Sequence, residues 1–216
     1  MAADLFDTLF DGPRREDIAP GAALLHGFAR SQQHELITAI DAVVQRAPFR
    51  HMVTPGGHTM SVAMTSCGRA GWVTDRGGYR YATHDPANGQ PWPEMPGVLR
   101  DLAHSAATDA GFPNFAPDAC LINRYTPGAK MALHQDKDER DFTAPIVSVS
   151  LGLPAIFQFG GMSRSDKPRR YELRHGDVLV WGGPTRLVYH GVLTLKDGDH
   201  PLLGRQRLNL TFRKAL

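Results

Sequence analysis

A histidine and an aspartate stand two residues apart in the segment LHQD, and a second histidine lies in the strand-like run RLVYHGV. Side chains two residues apart leave the same face of an extended backbone, so His134 and Asp136 can point at one centre. The same alternation puts His190 on the face of Val188 and Val192, which points inward if those valines pack in a core. Two imidazoles and one carboxylate leave three metal positions open, as iron(II) oxygenases require for a cosubstrate and O₂. We therefore predict a catalytic metal triad of these three residues.

The cysteines favour this open site over a structural zinc site. Only Cys67 and Cys120 are present, and they lie far apart in the sequence. A structural zinc ion is closed by four protein ligands, mostly thiolates, which this chain does not supply in a suitable spacing. So few cysteines also fit a reducing compartment, and we expect a cytoplasmic protein.

The last strand-like run, RLNLTFR, alternates polar and apolar side chains. If its leucines and phenylalanine pack on a core, the polar face must look at solvent or at a polar cavity. That face carries Arg207, Asn209, Thr211 and Arg213. A guanidinium binds a carboxylate through two parallel hydrogen bonds, so this face suits a dicarboxylate cosubstrate. Upstream, ACLINRY offers Asn123 and Tyr125 to complete such a pocket; an edge strand with solvated charges is the alternative interpretation.

Helices and an intervening lid must position these residues from the N-terminal side. Apolar residues recur with helical period from Ser31 to Ala47, where Ser31 is a suitable N-cap, and from Pro96 to Ala110 before Gly111. Between them, Met52 to Pro93 is rich in Gly, Thr and aromatic residues and lacks helical period. We predict that it forms hairpins and loops, as a surface-exposed lid more than a core.

From Ala119 onward the sequence consists of short strand-like runs separated by Gly, Pro, Asp and Asn turns. Closely spaced antiparallel strands of this kind predict a sandwich or jelly roll, giving a mainly β fold with flanking helices. We expect one domain over residues 1–216, with an N-terminal extension, helices and lid in 1–115 and the catalytic core in 116–216.

The composition is that of a globular protein. Hydrophobic residues make up 42% and charged residues 21% of 216 residues, and the formal net charge is +2. A total charge this small does not indicate binding to a polyanion, so a nucleic-acid partner would have to bind a local basic patch. The leader MAADLFDTLF is too short for a membrane span and resembles no signal peptide, so we expect a frayed terminus and no membrane partner.

Long strings of this sequence resemble the AlkB family of nucleic-acid-dealkylating dioxygenases. They are MVTPGGHTMSVAMTSCG, PDACLINRYTPGAKMALHQDKDERDFTAPIVSVSLGLP, HGDVLVWGG, YHGV and RLNLTFR. The similarity extends from about Phe49 to Arg213. It implies a double-stranded β-helix (jelly roll) core with an N-terminal nucleotide-recognition lid. It also implies iron(II), with 2-oxoglutarate and O₂ as cosubstrates.

The resemblance also implies a role for individual residues. The iron ligands are His134, Asp136 and His190, and the 2-oxoglutarate pocket is lined by Asn123, Tyr125, Arg207, Asn209 and Arg213. Trp72 matches the aromatic residue that stacks on the damaged base, with the imidazole of His134 on its other side. Positions around the base or the DNA backbone are matched by Thr54, Met64, Tyr79, Lys130, Gln135, Lys137, Asp138 and Arg164. His58 and the loop 162–166 depart from the family pattern, which affects the expected substrate range.

The implied reaction is oxidative demethylation of bases such as 1-methyladenine and 3-methylcytosine, with release of formaldehyde, succinate and CO₂. The expected partner is alkylated DNA, single-stranded or with a flipped base, and RNA as a further substrate; we expect a monomer. Two alternatives stay open at this point. One is a dioxygenase of the same fold acting on a protein side chain or small molecule, and the other is a metal-binding cupin-type barrel without oxygenase activity.

Overall fold

The computed structural model describes residues 14–216. Its α-helices are α1 (Gln33–Arg46) and α2 (Gly97–Asp109). The strands of the N-terminal half are β1 (Arg14–Ala19), β2 (Ala22–His26), β3 (Arg50–Val53), β4 (Thr59–Gly68), β5 (Gly71–Asp75) and β6 (Gly78–Ala82). Those of the C-terminal half are β7 (Ala119–Tyr125), β8 (Met131–His134), β9 (Ile146–Gly152), β10 (Ala155–Phe159), β11 (Arg169–Leu173), β12 (Val178–Trp181), β13 (His190–Val192) and β14 (Arg207–Arg213). The predicted leader MAADLFDTLF lies outside the described residues.

Antiparallel strands form an eight-stranded sheet and a four-stranded sheet. The larger sheet has the order β1-β2-β12-β9-β14-β7-β4-β3, and the smaller has the order β11-β10-β13-β8. A separate hairpin pairs β5 with β6. This arrangement of two antiparallel sheets confirms the predicted mainly β fold with a jelly-roll core.

Two apolar clusters hold these layers together. One packs α1 and α2 against the outer face of the larger sheet, and it contains Leu36 and Ile40 of α1 with Leu210 of β14. The other contains Leu121 of the larger sheet and Phe157 of the smaller sheet. The larger sheet is thus buried on both faces, which explains why β9 and β14 have no exposed residue.

The helices agree with the predicted periodicity except at one cap. In α1 the buried residues Leu36, Ile40 and Val43 follow the helical repeat. Ser31 was predicted to be the N-cap, but it lies inside a short 3₁₀ helix, and the N-cap is Gln32 without a side-chain cap bond. The extra 3₁₀ turn moves the N-cap of α1 by one residue, which periodicity alone does not reveal.

The prediction that Met52–Pro93 is mostly an exposed lid is wrong for β4. This strand pairs with β7 inside the larger sheet, and its residues Val62 to Cys67 are buried. β5 and β6 form the separate hairpin, and all five residues of β6 are intermediate or exposed. We call β5 and β6 the lid hairpin.

Strands from both sides of the expected division at residue 116 share the larger sheet. β2 pairs with β12, and β4 pairs with β7, so the N-terminal half completes the sheet that carries the C-terminal strands. We therefore keep the proposed division at residue 116 as a division of function: the lid hairpin and the helices precede it, and the strands that carry the metal triad follow it. Among the described residues, neither helix is long and apolar enough to span a membrane.

Candidate active site

Strand pairing brings the predicted metal triad together. His134 ends β8 and lies directly across from His190, the first residue of β13. Asp136 follows two residues after His134, and its two carboxylate oxygens lie 3.6 Å from the Nε2 atoms of the two histidines. One ligand atom from each residue lies within 4.8 Å of the others, which is close enough for all three to bind one ion.

Backbone carbonyls determine which nitrogen of each histidine is free. The Nδ1 of His134 donates to the carbonyl of Ala132 at 2.9 Å, and the Nδ1 of His190 donates to that of Val188 at 3.1 Å. A carbonyl only accepts, so both Nδ1 atoms carry the hydrogen and both Nε2 atoms keep a lone pair. This second hydrogen bond is the usual way in which proteins orient a metal-binding imidazole.

The charges of the site also suit a metal cation. Burial by itself would raise the pKa of Asp136, but the Arg213 guanidinium and the two imidazoles overcome this effect and hold that pKa well below its usual range. Burial and the neighbouring His134 lower the pKa of His190 to about 4. At neutral pH the site therefore presents a carboxylate and a neutral imidazole, the forms that bind metal.

Next to the triad, the polar face of β14 lines a cavity between the two sheets. Its lining includes Asn123, Tyr125, Ser148, Trp181, Asn209 and Arg213. β14 lies between β7 and β9, so Asn209 is directly across from Asn123 on one side and Ser150 on the other. The edge-strand interpretation of RLNLTFR is therefore wrong, because β14 is a central strand with a buried polar face.

Arg207 has the features of a carboxylate-binding residue. It is 1% exposed, its Nη2 donates to Ser150 Oγ at 2.9 Å, and its guanidinium carbon lies 5.1 Å from the ring centre of Tyr125. Its Nε and Nη1, with the Oδ1 of Asn123, have no hydrogen-bond partner among the described residues. Buried donors without partners are costly, and a dicarboxylate would satisfy this guanidinium. The residues present therefore fit 2-oxoglutarate.

Arg213 lies at the metal end of the same strand face. Its Nη2 and Nε donate to Asp136 Oδ2 at 2.6 and 3.0 Å. The sequence predicts that Arg207 and Arg213 both bind 2-oxoglutarate, with Arg207 at its distal carboxylate, and the structure gives the two residues different surroundings. Arg207 is available for a distal carboxylate, and Arg213 is already engaged with a predicted metal ligand. Its proposed contact with 2-oxoglutarate is left to its remaining donor, Nη1.

The lid hairpin carries the predicted base-stacking residue. Trp72 of β5 stacks on Tyr79 of β6, with ring centres 5.6 Å apart and planes inclined by 20°. The indole Nε1 donates to Asp138 Oδ2 at 2.8 Å. This bond ties the lid hairpin to the segment that follows Asp136, so the structure brings Trp72 and Asp138 together as predicted substrate residues.

The other predicted substrate residues differ in accessibility. Lys130, Lys137 and Arg164 are exposed, and Thr54 lies in the turn between β3 and β4. Gln135 lies between His134 and Asp136, and its Nε2 donates to the backbone carbonyl of Leu187 at 2.6 Å. This bond holds the segment that carries both metal ligands. Met64 is fully buried in β4. It lies inside the larger sheet, directly across from Asn123 of β7, and not on an exposed lid surface.

Sequence reasoning missed a buried carboxylate beside the metal triad. Glu139 lies in the charged segment QDKDERD, which has the appearance of a solvated loop, yet its side chain is 2% exposed. It contacts Arg186, Arg213 and Tyr81, residues from three distant parts of the chain. No local pattern indicates such burial, because the partners become neighbours only when the sheets assemble.

Comparisons with known proteins agree with this geometry. The family model of the 2OG-Fe(II) oxygenase superfamily matches residues 21–213. The chain is 60% identical over 203 residues to the alpha-ketoglutarate-dependent dioxygenase AlkB of Escherichia coli (strain K12), covering 94% of each chain. It is 33% identical over 157 residues to the tRNA demethylase abh1 of Schizosaccharomyces pombe (strain 972 / ATCC 24843), covering 67% of this chain and 52% of that protein.

A solved structure extends the similarity to the fold. The solved structure titled "The structure of OsALKBH1" matches with a TM-score of 0.81 and 30% identity, and the match covers 93% of this chain and 100% of that chain. Alpha-ketoglutarate is another name for 2-oxoglutarate, so relatives and family model agree on an enzyme that uses iron(II), 2-oxoglutarate and O₂. The chain belongs to the AlkB family within the 2OG-Fe(II) oxygenase superfamily.

Proposed function

We propose that this dioxygenase repairs N-alkylated bases such as 1-methyladenine and 3-methylcytosine in DNA, with RNA as a further substrate. The products are the unmodified base and formaldehyde, while 2-oxoglutarate and O₂ become succinate and CO₂. The observation that carries this proposal is the bond between the indole of Trp72 and Asp138, two residues beyond Asp136. It holds an aromatic surface and a carboxylate beside the metal triad, where a base with an alkylated ring nitrogen would lie.

The charge of the lesion suits this pair. Alkylation at these ring nitrogens makes the base cationic, and an indole face attracts a cation by about 0.5–2 kcal/mol. Asp138 is exposed, and Trp72 donates to its Oδ2, so its other carboxylate oxygen, Oδ1, is not used in that bond. We infer that this oxygen accepts a hydrogen bond from the exocyclic amine of adenine or cytosine. Guanine has no such donor at the corresponding position of its alkylated edge.

Other residues of the chain would bind the metal and the cosubstrate. His134, Asp136 and His190 would hold iron(II), and Arg207, Asn123, Tyr125 and Asn209 would hold 2-oxoglutarate between the sheets. When bound, these groups with O₂ supply the oxidation of the alkyl carbon, whose hydroxylated product releases formaldehyde. Because Asn123, Asn209 and Arg207 are nearly completely buried, the cosubstrate would react away from bulk water.

A base within a duplex cannot reach a metal site between two sheets, so the substrate must be single-stranded or have its base flipped out. Alkylation of the pairing edge weakens base pairing, which makes extrusion easier for damaged bases. The exposed cations Lys130, Lys137 and Arg164 are proposed to bind phosphates around the opening. The tRNA demethylase among the relatives supports RNA as a further substrate. We also propose a monomer in the cytoplasm; the free thiols of Cys67 and Cys120 are consistent with a reducing compartment.

Formaldehyde and succinate release from a defined substrate panel tests the proposal. The panel contains single-stranded, duplex and RNA oligonucleotides with one 1-methyladenine or 3-methylcytosine, the matching unmodified oligonucleotides, and the free methylated nucleosides. We expect both products from the methylated oligonucleotides and neither from the unmodified ones. Turnover of free nucleosides at the same efficiency would argue against a nucleic-acid substrate. Release of succinate without formaldehyde from every oligonucleotide would favour a protein or small-molecule hydroxylase.

A further inference from the structure

A buried ionic cluster lies behind the metal triad. Glu139 and Arg186 have side chains that are 2% and 3% exposed, and their carboxylate and guanidinium are 3.1 Å apart. The other oxygen of Glu139 lies 3.3 Å from the Nε of Arg213, whose side chain is 7% exposed. Since Arg213 also pairs with Asp136, the cluster contains two guanidinium groups and two carboxylates, and its charges balance.

Glu139 is the residue that connects both arginines. Without its carboxylate, two buried guanidinium groups would face the single charge of Asp136, and a buried charge without a partner is costly. Arg186 also contacts the metal segment directly, because its Nη1 donates to the backbone carbonyl of Asp136 at 2.8 Å. Glu139 thus fixes both cations that contact Asp136, one at its side chain and one at its backbone.

The cluster extends to the lid hairpin through Tyr81 of β6. The Tyr81 hydroxyl donates to Glu139 Oε1 at 2.7 Å. Burial raises the pKa of Tyr81 well above its ordinary value, so this hydroxyl stays protonated and remains a donor. Tyr81 lies directly across from Trp72 in the hairpin. Two cross-strand neighbours therefore bond two consecutive residues of the metal segment, Trp72 to Asp138 and Tyr81 to Glu139.

We propose that Glu139 is a positioning residue for the metal site: it holds Arg213 and Arg186 against Asp136, and Tyr81 fixes Glu139 from the lid hairpin. This inference rests on the proposed metal triad. Its consequence is that a hydroxyl on the lid contributes to metal affinity although it contacts no metal ligand. Residues that orient metal ligands from behind typically change metal affinity about ten- to hundredfold when they are replaced.

Metal affinity provides a test that does not depend on turnover. Mn(II) alone is titrated calorimetrically into the metal-free protein and three variants, Glu139→Gln, Tyr81→Phe and the double variant. Glu35→Gln is the matched control, since it makes the same Glu-to-Gln change at an exposed carboxylate of α1 that contacts neither the triad nor the lid hairpin. The melting temperature of each metal-free protein is measured in parallel, so that loss of folding is recognised separately from loss of affinity.

We expect Glu139→Gln to weaken Mn(II) binding by about ten- to hundredfold and Tyr81→Phe by about threefold. The double variant should bind Mn(II) no more weakly than Glu139→Gln, because Tyr81 acts through Glu139. Glu35→Gln should change the affinity by less than about threefold, since an exposed charge is screened by solvent. If Glu139→Gln does not fold, the conservative Tyr81→Phe change still tests whether the hydrogen bond from Tyr81 to Glu139 affects metal affinity.

Two results would overturn the inference. One is an unchanged Mn(II) affinity in Glu139→Gln and Tyr81→Phe together with a lower melting temperature, which would make the cluster purely structural. The other is an equal loss of affinity in Glu139→Gln and Glu35→Gln, which would show that the loss follows the net charge of the protein and not the position of Glu139. Failure of the unaltered protein to bind Mn(II) would instead contradict the metal triad, and with it this inference.

Discussion

Replacement of Arg207 by methionine separates cosubstrate binding from stability. Methionine fills much of the same volume but has no donors. In the protein without cosubstrate, Arg207 is 1% exposed and two of its nitrogens have no partner among the described residues. Each buried donor without a partner costs about 1–3 kcal/mol, so removal of two such donors can offset the lost bond from the charged guanidinium to Ser150, which is worth about 1.5–3 kcal/mol. We therefore expect the metal-free Arg207→Met protein to be at least as stable as the unaltered protein.

The effect on 2-oxoglutarate should be opposite in direction. A charge-assisted pair with the distal carboxylate is worth about 1.5–3 kcal/mol, which corresponds to roughly ten- to hundredfold in affinity. The KM for 2-oxoglutarate should rise by that factor, while the affinity for a methylated oligonucleotide should stay unchanged. Arg207→Lys should give an intermediate KM, since it keeps the charge but loses the two parallel bonds.

Thermal unfolding with and without 2-oxoglutarate, in the presence of Mn(II), measures both effects in one experiment. The cosubstrate should raise the melting temperature of the unaltered protein and have little effect on Arg207→Met. A variant that lost oligonucleotide affinity while its 2-oxoglutarate dependence stayed normal would refute the placement of the cosubstrate pocket. A strongly destabilised Arg207→Met protein would refute the argument from unpaired donors.

Three further predictions concern the triad, the lid and pH. His190→Ala should abolish Mn(II) binding and turnover while far-UV circular dichroism stays unchanged; near-normal activity would remove His190 from the triad. Trp72→Ala should lower the specificity constant for all methylated oligonucleotides, by about 1–3 kcal/mol of lost stacking, whereas Asp138→Ala should reduce the preference for methylated A and C over methylated G. Equal losses for all three bases in Asp138→Ala would make that carboxylate structural. Burial, with His200 and Arg30, lowers the pKa of His175 to about 4 from an unfolded value of 6.5. Its contribution to stability is therefore complete above pH 6.5 and lost as pH falls towards 4, so urea unfolding of His175→Gln should depend less on pH in that window.

The chemistry of the site could be predicted from sequence because it depends on strand alternation. His134 and Asp136 share a face through their spacing, and the polar face of β14 follows from alternate leucines and phenylalanine. This alternation depends only on the extended backbone of one strand, so it does not require knowledge of contacts with distant segments. It also predicted correctly that His190 points inward, since that residue is 5% exposed.

What could not be predicted depends on contacts between distant segments. Glu139 is buried only because Arg186 and Tyr81 surround it, and they lie 47 and 58 residues away in sequence. The burial of β4 likewise results from its pairing with β7, whereas its Gly- and Thr-rich surroundings suggested a lid. The pairing of Arg213 with Asp136 also required the structure, because alternation puts Arg213 on the same face as Arg207 but does not identify its partners.

The stoichiometry of a single-turnover reaction tests the central claim most directly. Enzyme loaded with iron(II) and 2-oxoglutarate is mixed anaerobically with a single-stranded DNA oligonucleotide that contains one 1-methyladenine, and O₂ is then admitted. We expect one adenine restored, one formaldehyde and one succinate for each lesion converted, and none of these coupled products from the His190→Ala enzyme. Succinate formed while the 1-methyladenine remains intact would contradict it.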